Sequence, residues 1–309
     1  MPADSARANA RLRLRQLVKR RAPPEPPLFV PLAYATAAQI EHCTLDSLLL
    51  DPTRMCKALT ALRDTLATDA IIGFSDAGVL LESLGATLDR SVWPPAVAAP
   101  PQRAPDETVI ERLMSHPRVA AGLEVVRRLA ATAPAEALLA TVLSGPLSLA
   151  EAFGDAGSTE ILARAVESLA PAQLALARAL CEAGAHLVIL QEGILPEAGE
   201  SAAEQWRQAM TPIVNVVRFY QALPVVVLHT AARDDEAALT LPNAIFAAPE
   251  SVRLQGDLVG EALAPPPRQW RMPERAVALI TTAGEIGAEQ DVGDLREACL
   301  QIKARLASR

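Results

Sequence analysis

The sequence predicts an α/β fold, a single (β/α)8 TIM barrel, and three observations carry that expectation. Short aliphatic runs alternate with longer stretches of helical period, which is the pattern of βα units on a parallel sheet. Eight such runs occur along the chain, the number that closes a barrel. Half of the 309 residues are hydrophobic while only 3% are aromatic, so the core is built mainly from Ala, Leu, Val and Ile, as buried parallel strands require. That length suits one barrel, which commonly runs to about 250 residues or more.

The chain begins with a basic segment. From Ala6 to Arg21, Arg7, Arg11, Arg13, Arg15, Lys19, Arg20 and Arg21 surround Leu12, Leu14 and Leu17. An organelle-targeting helix has such a composition, and so does a solvated helix docked on a domain; the second is the reading taken. Arg21-Ala-Pro-Pro-Glu-Pro-Pro27 cannot be helical, because proline lacks the amide donor and restricts the residue before it. Residues 1–26 are therefore read as a basic helix and proline-rich linker, and 27–309 as the barrel domain.

The expected strands are Leu28–Tyr34, Ala70–Phe74, Ala137–Leu143, His186–Gln191, Val225–His229, Ala244–Ala248, Leu254–Leu258 and Ala276–Thr282. Helical periodicity places helices over Pro52–Ala67, Asp106–Ala131, Ser158–Ala183, Ala202–Ala222 and Asp294–Ala307. Between the second strand and the next long helix, the proline-rich stretch Trp93–Pro105 is an extended excursion, a lid or a spacer. The region Arg233–Pro242 shows no clear period.

The net charge of −7 and pI near 5.3 supply no global attraction to nucleic acid or to an anionic membrane, and neither is expected as a partner. Cys43, Cys56, Cys181 and Cys299 lie far apart without a Cys-x-x-Cys pair. With nothing resembling an export signal, they read as free thiols in a reducing cytoplasm. No apolar run approaches the roughly 18 residues of a membrane span. No phosphate loop, nucleophile elbow or dinucleotide fingerprint is present. Trp93, Trp206 and Trp270 lack a surrounding basic patch and read as packing residues.

Polar residues at strand ends carry a family resemblance. Asp69-Ala-Ile-Ile-Gly-Phe-Ser-Asp76, with Leu84-Gly85 downstream, resembles the Asp-Ala-x-Ile-x-Phe-Ser-Asp motif of the uroporphyrinogen decarboxylase superfamily. Ser144-Gly-Pro-Leu-Ser-Leu-Ala150 is similar to its Gly-x-Pro-x-Thr-Leu turn, and Val252-Arg-Leu-Gln-Gly-Asp-Leu258 to its Leu-Gln-Gly-Asn-Leu strand. Ile280-Thr-Thr-Ala-Gly-Glu-Ile-Gly287, followed by Asp294 and Leu295, resembles its last strand and closing helix. These motifs stand in one register from about Pro27 to Ala307. The resemblance implies a TIM barrel, a homodimer, and a central catalytic role for Asp76.

The departures are as informative. In the decarboxylases an Arg-Gln-Ala-Gly-Arg signature after the first strand holds substrate carboxylates, and here Leu32-Ala-Tyr-Ala-Thr36 takes its place. Without those planar forks a polycarboxylated porphyrinogen loses its bidentate anchors. The family's tyrosine after the Pro-x-Thr-Leu turn corresponds to Ala152, and its last-strand histidine to Gly284. The superfamily's corrinoid-linked methyltransferases use zinc held by His-x-Cys and a later cysteine. Here His229 stands with Ala231 and Gly284, so a soft thiolate zinc site is incomplete.

At the expected strand ends, Asp76, Glu192, His229, Asp257 and Glu285 converge on one mouth as acid, base or oxygen-rich metal ligands. Asp76 and His229 are the candidate catalytic residues. Tyr34, Glu192, Arg233, Asp257 and Glu285 are the candidate substrate contacts, with His229 and Glu192 the ligands if a divalent metal such as zinc binds. The bland alternatives are a capping carboxylate, a half-buried histidine and an ordinary polar rim. Three functions fit. The first is a lyase acting by decarboxylase-type chemistry on a small substrate less anionic than uroporphyrinogen. The second is a methyl or alkyl transferase with a corrinoid or tetrahydrofolate partner, and the third is an inactive paralogue.

Overall fold

Asn9 starts the first helix by accepting from the amides of Arg11 and Leu12 at 3.0 and 3.3 Å, which satisfies donors the helix itself leaves free. In α1 (Ala10–Val18), Ala10, Arg13, Leu14 and Leu17 are buried. The basic leading helix is thus docked, with Arg11 donating to the carbonyl of Ala137 and Arg13 to those of Pro26 and Pro27. The computed structural model describes residues 9–20, 22–103, 106, 108–153, 159–193, 201–229, 241–250, 254 and 258–308.

After β1 (Leu28–Val30) come α2 (Ala37–Ile40), α3 (Leu45–Leu49) and α4 (Pro52–Leu66), then β2 (Ala70–Ser75) and α5 (Val79–Ser83). A separate two-stranded antiparallel sheet, β3 (Thr87–Asp89) with β4 (Ala96–Ala99), fills the excursion. Then follow α6 (Val109–Ser115), α7 (Pro117–Thr132), β5 (Leu138–Ser144), α8 (Pro146–Ala150), α9 (Thr159–Glu182), β6 (Leu187–Glu192) and α10 (Ser201–Phe219). The chain closes with β7 (Leu223–Leu228), β8 (Ile245–Ala248), β9 (Val259–Leu263), β10 (Leu279–Thr282) and α11 (Val292–Ala307).

Eight strands pair in parallel in the order β1-β10-β9-β8-β7-β6-β5-β2, a nearly closed (β/α)8 barrel. The remaining seam lies between β1 and β2. It is bridged by Asp69, whose amide donates to the Phe29 carbonyl at 3.0 Å while its side chain accepts from the Phe29 amide at 2.8 Å. Around that carboxylate stand Arg13, bidentate at 2.9 and 3.1 Å, and Lys303 of α11 at 2.9 Å. The seam, the first helix and the last helix therefore meet on one buried charge.

Two expectations are corrected. The single helix expected over 106–131 is two, because Pro117 restricts His116 to an extended conformation and so ends α6. The seventh barrel strand is Val259–Leu263, not Leu254–Leu258. Gly260 and Glu261 interrupt the aliphatic character that sequence reading relies on, yet Glu261 is buried against Arg275 at 3.1 Å. Among the described residues no helix is long and apolar enough to cross a membrane.

Candidate active site

The strand register decides which side chains reach the barrel interior. Trp206 of α10, outside the wall, packs its ring 6.4 Å from that of Phe246 in β8, so the alternating Ile245 and Ala247 face inward. Following the pairs Val227↔Ala247, Gln191↔Val227 and Ser144↔Gln191 places Gln191 and Ser144 on the inner face, near the C-terminal rim. The pair Ser75↔Val142, with Val142↔Ile189 one layer below, does the same for Ser75. This is the end at which barrels carry their active sites.

At that rim β2 delivers Ser75, whose hydroxyl pairs with Oε1 of Glu285 just beyond β10. The other oxygen, Oε2, accepts from the Trp93 indole at 2.6 Å. Tyr34, in the turn after β1, is buried with its ring centre 6.3 Å from that of Trp93. Burial pushes the Glu285 carboxyl up to about 7 against the two hydrogen bonds, and the neighbouring Asp76 charge adds to the rise. Burial, then the charges of Asp76 and Glu285, raise the Tyr34 phenol well above its usual value. The rim thus gathers a phenol, a hydroxyl, an indole and a carboxyl poised to hold or release a proton near neutrality.

Asp76 sits beside this cluster but is not free. Oδ2 lies 3.0 Å from Nε of Arg118, at the start of α7, and both side chains are nearly fully buried. Arg118 also pairs with Glu82 of α5, which pairs with Arg90 at 2.6 Å, which in turn reaches Asp46 at 3.2 Å. Burial pushes the Asp76 carboxyl up to about 7, with the Arg90 charge opposing. Expected as a catalytic carboxylate at the mouth, Asp76 also anchors the buried end of a chain of alternating charges that runs outward to the exposed Asp46. Its partner Arg118 lies 42 residues away in sequence and had no local signal.

Glu192 is placed opposite to the expectation. It is fully buried and accepts from the amides of Leu147 and Ser148 at 3.3 and 2.9 Å, the Ser148 hydroxyl at 3.0 Å and the Trp206 indole at 2.8 Å. These donors belong to α8 and α10 outside the wall, so the carboxylate seats the first turn of α8 and turns away from the interior. A Cβ on Gly145 would run into that carboxylate, which explains the glycine of the Ser144-Gly145-Pro146 turn. The inward neighbour Gln191, which sequence reading passed over, is 3% exposed, and its Nε2 has no hydrogen-bond partner among the described residues.

His229 is exposed immediately after β7, its amide donating to the Glu192 carbonyl at 3.0 Å. Arg233 and Asp257 lie outside the described residues. The structure therefore brings Tyr34, Asp76 and Glu285 together, with Ser75, Trp93 and Arg118 added, and sets Glu192 apart. Trp93, expected as a packing residue, donates directly to the Glu285 carboxyl.

The described residues do not by themselves make up a zinc site. Gly284, standing where a thiolate or imidazole would be, offers no donor, Glu192 faces away with its oxygens occupied, and no three metal-binding side chains cluster among the described residues. Instead, the position above Gly284 is open: a Cβ there would meet no atom within 4 Å. Leu32 and Thr36, at the places of the two signature arginines, are fully buried, and the Thr36 hydroxyl donates to the Ala33 carbonyl at 2.7 Å.

A family model described as uroporphyrinogen decarboxylase (URO-D) matches residues 10–238. Among solved structures, a methyltransferase from Methanosarcina mazei superposes with a TM-score of 0.71 at 13% identity, over 97% of this chain and 99% of that one. At that identity the likeness speaks to the fold alone. No curated protein matches the chain in sequence.

Proposed function

The chain belongs to the uroporphyrinogen decarboxylase family, and on that premise we propose that it is an enzyme transferring a methyl or alkyl group to or from a small, uncharged molecule in the C-terminal mouth. One observation carries this reading over decarboxylation. Arg118, which contacts Asp76, is already paired with Asp76 and Glu82, and Arg90 beyond it with Glu82 and Asp46. Holding a substrate carboxylate on Arg118 would mean breaking its buried pair with Asp76, which is costly. The methyltransferase that shares the fold agrees with group transfer.

In this reading Glu285 is the general acid. As the bond between the alkyl carbon and the donor's heteroatom breaks and that carbon bonds to the acceptor nucleophile, the Glu285 proton passes to the departing heteroatom. An acid with a pKa near the working pH is suited to that task. Tyr34 and Trp93 supply aromatic walls, Asp76 with Arg118 fixes the local field, and the acceptor is a corrinoid or tetrahydrofolate carrier. A homodimer in the cytoplasm completes the reading.

The test is to offer the purified protein cob(I)alamin with a methyl ether, a methylated amine or a methyl thioether, and to follow methylcobalamin formation by absorbance. Glu285→Gln should slow formation by roughly 10²-fold or more. Release of labelled carbon dioxide from a carboxyl-labelled acid, with no alkyl transfer from any donor, would return the assignment to a lyase.

A further inference from the structure

The inner face of β6 ends on a residue that the fold does not require. Gln191 pairs in register with Ser144 and Val227, and the layer below it holds Val142 and Ile189. These surroundings are largely apolar, and a carboxamide buried among them without a bond costs stability. The neighbouring hydroxyls do not relieve it. Ser144 donates to the Ala77 carbonyl at 3.1 Å, and Ser75 is engaged by Glu285. Among the described residues Gln191 Nε2 thus has no hydrogen-bond partner, while the residue is 3% exposed.

Buried polar groups in folded proteins are nearly always paired, so an unpaired one asks for a partner from outside the chain. Open space exists at the same rim above Gly284. We infer that Gln191 is a ligand-binding residue, its amide donating to an uncharged acceptor oxygen, carbonyl or ether, of a molecule seated in the mouth. A carboxylate is disfavoured there because Glu285 and Asp76 already place two acidic groups at the rim. This rests on the mouth being the reaction site, and it adds the chemical class of ligand: neutral, with a hydrogen-bond acceptor and no compensating cation required.

The discriminating comparison uses three six-membered rings of similar size as probes: cyclohexanone, with an acceptor oxygen, methylenecyclohexane, its apolar isostere, and cyclohexanecarboxylate. Affinities are read by ligand-observed NMR on the full chain, together with urea unfolding. The wild type should prefer cyclohexanone at least several-fold over both others. Gln191→Met should erase that preference while unfolding at the same or a higher urea concentration, because the buried, unpaired Nε2 is removed. Gln191→Leu serves the same purpose with a branched side chain.

Equal affinity of wild type for cyclohexanone and its isostere, persistence of the preference in both variants, or a lowered unfolding midpoint in both would overturn the assignment. Failure of alkyl transfer with the ring preference intact would instead remove the proposed reaction and leave Gln191 in place.

Discussion

Asp69 and Phe29 exchange two hydrogen bonds across the seam of the barrel, one through the Asp69 backbone at 3.0 Å and one through its carboxylate at 2.8 Å. The other carboxylate contacts go to Arg13 and Lys303. Burial works against the charged form, but Lys303 and Arg13 outweigh it and hold the Asp69 carboxyl below its usual range. Asp69→Ala leaves the buried Arg13 guanidinium without its counter-charge and the buried Phe29 amide without its acceptor, and should cost about 3–5 kcal/mol in urea unfolding. A loss within about 0.5 kcal/mol would show that the seam closes without it.

Glu285 governs an opposite pH trend. Its folded pKa of about 7 lies above the value near 4.3 expected for an unfolded chain. The stability this group contributes is therefore complete below that lower value and is lost as pH rises through about 7. Glu285→Gln keeps an acceptor for the Trp93 indole and presents N–H to the Ser75 hydroxyl, as the protonated acid does. The variant should lose less stability than wild type between pH 5 and 8, which thermal unfolding across that range will measure.

Arg118 joins Asp76 to Glu82, and of these two carboxylates only Glu82 pairs with a second arginine among the described residues, Arg90. Arg118→Met should destabilise by about 3–5 kcal/mol by stranding Asp76 in the interior, whereas Asp76→Asn with Arg118→Met should recover part of the loss. The double-mutant cycle then gives a coupling of roughly 1–3 kcal/mol. Additive losses would mean that the 3.0 Å contact carries no energy of its own.

His186 sets the acid limit at the other end of the barrel. Its Nδ1 accepts from the Leu139 amide at 2.9 Å, and burial, assisted by Arg11, lowers its pKa to about 4. The unfolded chain, with a value near 6.5, binds the proton first. Stability from this group is therefore complete above about pH 6.5 and drains as pH falls toward 4. His186→Asn should flatten that part of the acid unfolding profile; an unchanged slope would assign it to other groups.

The order of the barrel strands was legible because each aliphatic run is bounded by turn residues, and β9 escaped because a buried ion pair permits Glu261 inside a strand. Site residues were harder to read for a reason intrinsic to pleated strands. Gln191 and Glu192 are adjacent, one faces the interior and the other the helices, and sequence alone favours the charged residue. The register with β7 and β8 settles the matter. Arg118 and Trp93 reach the site through contacts 42 and 192 residues away in sequence, to Asp76 and Glu285, and no periodicity encodes such a meeting.

Residues 87–99 enter the mouth without belonging to its wall, since β3 and β4 pair with each other and with none of the eight barrel strands. Leu88 leans on Gly78, Arg90 ties to Glu82, and Trp93 alone reaches the acid. What covers Glu285 is thus specified by a short hairpin that can lengthen, shorten or exchange its aromatic residue while every pairing of the barrel strands stays unchanged. Selection acting on this hairpin can retune which molecules are admitted without renegotiating the fold. Related chains with the same barrel and a different insertion are therefore expected to differ first in substrate and only later in stability.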